Sequence, residues 1–264
     1  MATLQETPVR CAPASLEIDG AVASITLDRA ETLNTIDIEM ARCLAVLGSQ
    51  VERNEDIKVL VIRGAGRAFC SGGDIGLFAS NLDALAAPIR ELLTELHRFL
   101  CCLRRMPKLV ITSVQGAAAG AGFSLSFMGD MCVASQSARF RPSYAQLGVS
   151  PDGGGTIGLV ETVGARRALQ IFLAEEELSA DQAFAFGLVT HVVPEAAIAD
   201  RTMALARKLA GNGSEVIAAT KSLIYQSTRT SVSEQLEAEL NRLLICMDTE
   251  NFRAGVRNFI GKRR

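Results

Sequence analysis

Histidine occurs only twice in the 264 residues, as His97 and His191, and the two lie far apart in the chain. Seven cysteines (Cys11, Cys43, Cys70, Cys101, Cys102, Cys132 and Cys246) show no repeated spacing. So few imidazoles and so irregular a set of thiols argue against a metal site. An odd cysteine count also argues against a disulfide framework and for a reducing, cytoplasmic setting. An excess of basic charge is missing as well: 27 Lys and Arg against 29 Asp and Glu leave a net charge of -2, with no field to select nucleic acid. The basic end, Lys262-Arg263-Arg264, is short and reads as a solvated tail. Long apolar runs are lacking. Met1 to Pro13 has neither a charged start nor an apolar stretch, which argues against a signal peptide, and no segment approaches a membrane span. What remains, 48% hydrophobic and 21% charged, is the composition of a globular protein long enough for one large domain with a modest appendage.

Hydrophobic spacing gives the order of elements. Alternation from Ala14 to Asp28 around Asp19-Gly20 predicts a hairpin. Met40, Leu44, Leu47 and Val51 fall at helical spacing over 38–52, with Asp37 placed to cap the helix. Buried strands are expected at 58–64, 109–114 and 131–135, and an amphipathic helix over 92–103 that ends at Met106-Pro107. Strand, glycine-rich loop and helix occur in that order twice, which implies an α/β core with right-handed crossovers. Beyond Pro194 the pattern is helical, with helices expected over 198–209, 214–227 and 232–247.

Three segments have the makings of a site. In Ala68-Phe-Cys-Ser-Gly-Gly-Asp-Ile75, adjacent glycines allow close backbone approach and leave amides uncovered, and Asp74 is placed to fix the loop; an ordinary strand-to-helix turn explains the segment equally well. In Gln115-Gly-Ala-Ala-Ala-Gly-Ala-Gly-Phe-Ser124, small residues open a helix whose free amides and dipole would face a ligand, although close helix packing would also account for it. A dinucleotide fingerprint fails for want of the third glycine and the following acidic residue, and a phosphate loop for want of Gly-Lys-Ser/Thr. In Leu147-Gly-Val-Ser-Pro-Asp-Gly-Gly-Gly-Thr156, one carboxylate, Asp152, sits just before a helix expected to begin near Thr156, either as its N-cap or as a reactive group.

Taken together in this order, the three segments closely resemble the enoyl-CoA hydratase/isomerase, or crotonase, superfamily. Leu27-Asp-Arg-Ala-Glu-Thr-Leu-Asn34, Ala183-Phe-Ala-Phe-Gly-Leu-Val189 and Phe259-Ile-Gly-Lys262 extend the resemblance over nearly the whole chain. It implies an α/β spiral of ββα turns over residues 1–197, and a helical region over 198–264 that assembles a homotrimer or a dimer of trimers. It also implies an acyl-CoA thioester substrate, coenzyme A being part of that substrate, with no separate cofactor, nucleic acid or membrane partner. By the same resemblance the backbone amides of Gly73 and Ala121 stabilise an enolate oxyanion. Ser71, Gly73, Asp74 and Ile75 border the adenine, Arg29 approaches the CoA phosphates, and Phe259 and Lys262, from a neighbouring subunit, complete that pocket.

The departures from the family pattern narrow the chemistry. The two positions where hydratases carry water-activating glutamates hold Ser124 and Tyr144, neither of which can act as a carboxylate base. Asp152 falls where several isomerases of the family place an acid/base aspartate, and apolar surroundings would raise its pKa toward neutrality. Double-bond isomerisation by a single carboxylate is therefore the leading expectation. The alternatives are an enoyl-CoA hydratase-type enzyme, a hydrolase or dehalogenase-like reaction with Asp152 as nucleophile and His97 as base, and a non-catalytic acyl-CoA-binding homologue. Otherwise His97 reads as a buried or boundary residue of its helix, Tyr144 as packing with some prospect of touching substrate, Ser124 as pocket wall, and His191 as structural. Residues 78–93 and the surroundings of Tyr144 are the expected readers of the acyl chain.

Overall fold

The computed structural model describes residues 9–80, 83–174 and 177–261. In chain order the strands are β1 (Val9–Cys11), β2 (Ala14–Asp19), β3 (Val22–Leu27), β4 (Val59–Gly64), β5 (Leu109–Val114), β6 (Ala117–Ala119), β7 (Met131–Ser135), β8 (Arg139–Arg141), β9 (Leu178–Ser179) and β10 (His191–Val193). The helices are α1 (Ile38–Arg53), α2 (Ile75–Ser80), α3 (Ala86–Arg105), α4 (Ala121–Ser126), α5 (Gly155–Leu173), α6 (Ala180–Ala185), α7 (Ile198–Ala210), α8 (Ser214–Gln226), α9 (Val232–Met247) and α10 (Glu250–Gly261).

The main sheet has the order β1-β2-β3-β4-β5-β7-β10. Its first two pairings are antiparallel and the rest parallel, as short turns allow in one case and helical crossovers require in the other. The hairpin turn is Gly20-Ala21, one residue later than expected, because Asp19 still pairs with Val22. Strands covered on both faces read as unbroken apolar runs, and β4 shows why. Its Leu60 and Ile62 join α1 and α3 in the larger core, while Val59 and Val61 join Val22, Ile111 and Val133 beneath α7. A second, small sheet pairs β6 with β8 and β8 with β9.

Helix α1 is held as its sequence suggests. Met40, Leu44, Leu47 and Val51 are fully buried, and the Asp37 carboxylate accepts from the Met40 N–H at 2.9 Å. Burial works against charge on Asp37, but hydrogen bonds from Arg29 and the Met40 amide outweigh it and hold that carboxyl below its ordinary range. Other boundaries moved. Helix α3 starts six residues before the predicted span, and a fourth C-terminal helix, α10, follows Thr249. The small-residue stretch at Gly116–Gly122 is not only a helix entry, since Ala117–Ala119 form a strand whose partner, β8, lies across the chain. Helix α8 is locked onto the sheet by Lys221, whose ammonium donates to Leu103 O at 2.8 Å, Lys108 O at 2.9 Å and Asp130 Oδ2 at 3.0 Å. Among the described residues, no helix is long and apolar enough to cross a membrane.

Candidate active site

The first glycine loop follows β4 and is held on both flanks. On one side the Cys70 N–H donates to Ala117 O at 3.1 Å and the Ala119 N–H to Cys70 O at 2.9 Å. On the other the Ser71 N–H donates to Leu33 O at 2.9 Å and the Ile36 N–H to Gly72 O at 2.7 Å. Asn34, fully buried, adds a clamp beneath: its amide nitrogen donates to the carbonyls of Ala65 and Ala68 at 2.9 Å and of Phe69 at 3.2 Å. Asp74 fixes the exit from the loop, accepting from the Gly76 N–H at 2.8 Å.

This loop touches the second glycine segment backbone to backbone. A Cβ built on Gly72 would lie 2.7 Å from Ala119 O and 3.3 Å from Ala121 N, and Gly72 has φ +99°. Only glycine meets both demands. Neither the Gly73 nor the Ala121 amide donates to a backbone carbonyl among the described residues; Ala121 opens α4, where no intrahelical acceptor exists. The anticipated help from a helix dipole is small, because α4 has six residues. Any stabilising power lies in the two N–H groups themselves.

Gly73 and Ala121 open onto a cavity of about 670 Å³ that Ser71, Ile75, Tyr144 and Asp152 also line. Its wall is largely aliphatic, with Ile89, Leu92, Leu93 and Leu96 of α3, Leu147 and Val149, and Arg141 also lines it. The expected acyl-reading segment thus lies partly on α3. Phe78 contributes no describable side chain. Ser143, which sequence reasoning missed, lines the same cavity with φ +62°, a left-handed conformation that no motif announces for a serine.

Asp152 is not an N-cap. The cap of α5 is Gly154, which follows Gly153 in a left-handed turn (φ +59° and +78°), and no side chain caps the helix. Asp152 Oδ1 accepts from the Tyr144 hydroxyl at 2.7 Å, and that hydroxyl lies 2.7 Å from Ser124 Oγ. Burial pushes the Asp152 pKa up; the Tyr144 hydrogen bond and the nearby His97 imidazole pull the other way and do not offset it. Burial and the Asp152 charge together drive the Tyr144 phenol far above its ordinary value, so it stays a donor. The Tyr144 ring packs edge-on against Phe172, which meets Phe123 in the same fashion. Ser124 is fully buried behind Tyr144 and is not the pocket wall that was expected.

The remaining candidates lie elsewhere. His97 is exposed on α3 and lines a hollow of about 730 Å³ that shares Leu93, Ser150 and Asp152 with the first cavity. It also borders a larger, charged groove of about 970 Å³ in which Arg105 pairs with Glu52. Arg29 does not line the first cavity; its guanidinium is bound by Asp37 and, at 3.5 Å, by Glu39. Phe259 lies exposed on α10, away from the cavity of its own chain. Lys262 lies outside the described residues. His191 starts β10, paired with Val133.

Gly73 and Ala121 beside a largely apolar cavity with one carboxylate of raised pKa suit chemistry on an activated carbonyl. The sequence profile of the enoyl-CoA hydratase/isomerase family matches residues 17–264. The chain belongs to that family. Its relatives within the enoyl-CoA hydratase/isomerase family include the 1,2-epoxyphenylacetyl-CoA isomerase of Escherichia coli (strain K12), 35% identical over 93% of this chain and 94% of the other. A probable enoyl-CoA hydratase of Rhodobacter capsulatus is 34% identical over 94% of each. A crystal structure of a putative enoyl-CoA hydratase from Thermobifida fusca in complex with acetoacetyl-CoA superposes with a TM-score of 0.83, at 31% identity, over 90% of this chain and 95% of that one. The crotonase-type α/β fold with a helical C-terminal region is therefore established, and this is an acyl-CoA enzyme of the family. Relatives named as isomerases and as hydratases match it about equally well.

Proposed function

We propose that this chain is an enoyl-CoA isomerase that moves a double bond through a thioester enolate, with Asp152 as proton shuttle. The carrying observation is that Asp152 is the one carboxylate among the described residues lining the cavity. Ionised Asp152 takes a proton from a substrate carbon, and the C–H electrons pass through the conjugated system onto the thioester oxygen. The amides of Gly73 and Ala121 donate to that oxyanion, each worth about 3–4 kcal/mol in comparable sites. As the carbonyl re-forms, Asp152 returns its proton to the other end of the allylic system. The enzyme ends as it began, and no water is consumed. Hydration needs a water held and activated, which the family resemblance assigns to two glutamates, and Ser124 and Tyr144 offer hydroxyls there instead.

Turnover of an enoyl-CoA panel in D2O tests this reading. The expected result is deuterium at both α and γ carbons together with a shifted double bond. A 3-hydroxyacyl-CoA as main product overturns it, and binding without exchange leaves a non-catalytic homologue. We also infer that CoA enters past Ser71, Gly73, Asp74 and Ile75, the last of which is exposed at the cavity edge.

Assembly is part of the same proposal, with 1–197 as the catalytic core and 198–264 as the assembling region. Helix α9 buries none of its residues and leaves Val232, Leu236, Leu240 and Leu243 at least half exposed, as Phe259 and Ile260 are on α10. An apolar face of this extent suits a subunit interface. Light scattering is expected to give three or six times the 28.1 kDa chain mass, and a single chain mass overturns the trimer.

A further inference from the structure

The two hydroxyls that replace the hydratase carboxylates form one directed chain with Asp152. An ionised carboxylate only accepts, so at 2.7 Å the Tyr144 O–H donates to Asp152 Oδ1. The phenol oxygen is then left as an acceptor, and Ser124 Oγ, also at 2.7 Å, donates to it. We propose that Tyr144, held in turn by Ser124, is a positioning residue that pins Oδ1 of Asp152, keeps Oδ2 free for the substrate carbon, and fills the place where a reacting water would stand. The inference rests on the reading of Asp152 as proton shuttle.

Several features support the clamp. Protonation of Oδ2 leaves Oδ1 an acceptor, so the Tyr144 bond survives both halves of a proton transfer and nothing has to rearrange. Ser124 is fully buried and Tyr144 nearly so, so both hydroxyls are held within the fold. The glycine run after Asp152 is seated directly on Ser124: a Cβ on Gly155 would lie 2.4 Å from its Oγ, and one on Gly153 3.1 Å from its Cβ. That close approach brings the Asp152 loop to the hydroxyl pair. Other groups facing Asp152 come from outside the chain of hydroxyls. His97 of α3 acts on it electrostatically, and Arg104 of α3, Tyr225 of α8 and Arg229 line the hollow beyond. Arg104 and Arg229 are both paired to Glu161, and Arg141, which lines the cavity together with Asp152, is paired to Glu177.

The test reads the Asp152 carboxyl directly, without substrate. Its infrared C=O band, identified by difference against Asp152→Asn, is titrated in the wild type, Tyr144→Phe and Ser124→Ala. Because the phenol bond favours the ionised form, losing it raises the midpoint, by roughly one pH unit in Tyr144→Phe and about half that in Ser124→Ala. In turnover, Tyr144→Phe is expected to lower kcat about tenfold with KM nearly unchanged, and its acid limb moves with the band. An unmoved or lowered midpoint in Tyr144→Phe overturns the clamp. If that variant does not fold, an unmoved midpoint in Ser124→Ala does so. A raised midpoint with no isomerase turnover on any thioester would sink the isomerase reading and leave the clamp standing, and isomerisation with an unmoved midpoint would do the reverse.

Discussion

Asp152→Asn is expected to reduce isomerase turnover by about 10²–10⁴-fold while thioester binding changes by no more than a few fold. Asparagine is nearly isosteric and its carbonyl oxygen still accepts from Tyr144, so the cavity keeps its shape. What disappears is the group that takes and returns the proton. A fall in kcat without a matching rise in KM, measured on the substrates the wild type isomerises, is the signature of a lost transition-state interaction. Full turnover on all of them would sink the shuttle. The same variant has a second readout in stability. Burial raises the folded-state pKa of Asp152 above its unfolded value. The fold therefore favours the protonated form, and that contribution is complete below the unfolded pKa and lost as pH rises through the folded one. Asparagine has no charge to bury. Its melting temperature is expected to match the wild type in acid and to exceed it near neutrality. A wild type that loses nothing to Asp152→Asn at pH 7 would mean the carboxylate is not strained by its surroundings.

Much of this architecture was legible because local and long-range signals agreed. Strands β5 and β7 ended where the apolar runs ended, and Asp37 capped α1 as its place before the first apolar residue implied. The three glycine-rich segments were legible as sequence, and the cavity joins Gly73, Ala121 and Asp152. What stayed hidden depends on contacts distant in the chain. Ala117–Ala119 has no strand-like alternation and becomes a strand only because β8 and the Cys70 loop offer it partners. Helix α10 carries no deeply buried stripe to mark it. The pairing of Ser124 with Tyr144 spans 20 residues and depends on the turn at left-handed Ser143 after β8, so each residue alone read as wall or packing. Arg29 shows the converse: a basic residue in a family-like segment looked free for phosphate, whereas Asp37, eight residues on, claims its guanidinium.

Gly72→Ala should disable the oxyanion site without touching any reacting group. Two costs meet at this position. An L-residue at φ +99° is strained, by about 1–3 kcal/mol, and the new methyl would stand 2.7 Å from Ala119 O. That carbonyl belongs to a backbone segment hydrogen-bonded on both sides, so it cannot swing away as a flexible side chain would. Relief has to come from parting the two loops, which displaces the Gly73 amide from the Ala121 amide. An oxyanion donor that no longer reaches its target costs about 10²–10³ in kcat. The expected result is a loss of that size with the Asp152 titration unaltered, because the carboxylate sits on a different loop. Gly20→Ala separates strain from displacement. Gly20 also has positive φ (+58°) but lies in the β2–β3 turn with nothing within 4 Å of the added methyl. It should lower the melting temperature through strain alone, by less than Gly72→Ala does, and leave kcat intact. If both variants lost activity equally, general destabilisation would account for the effect, and the backbone contact at Gly72 would have no special part in aligning the two donors.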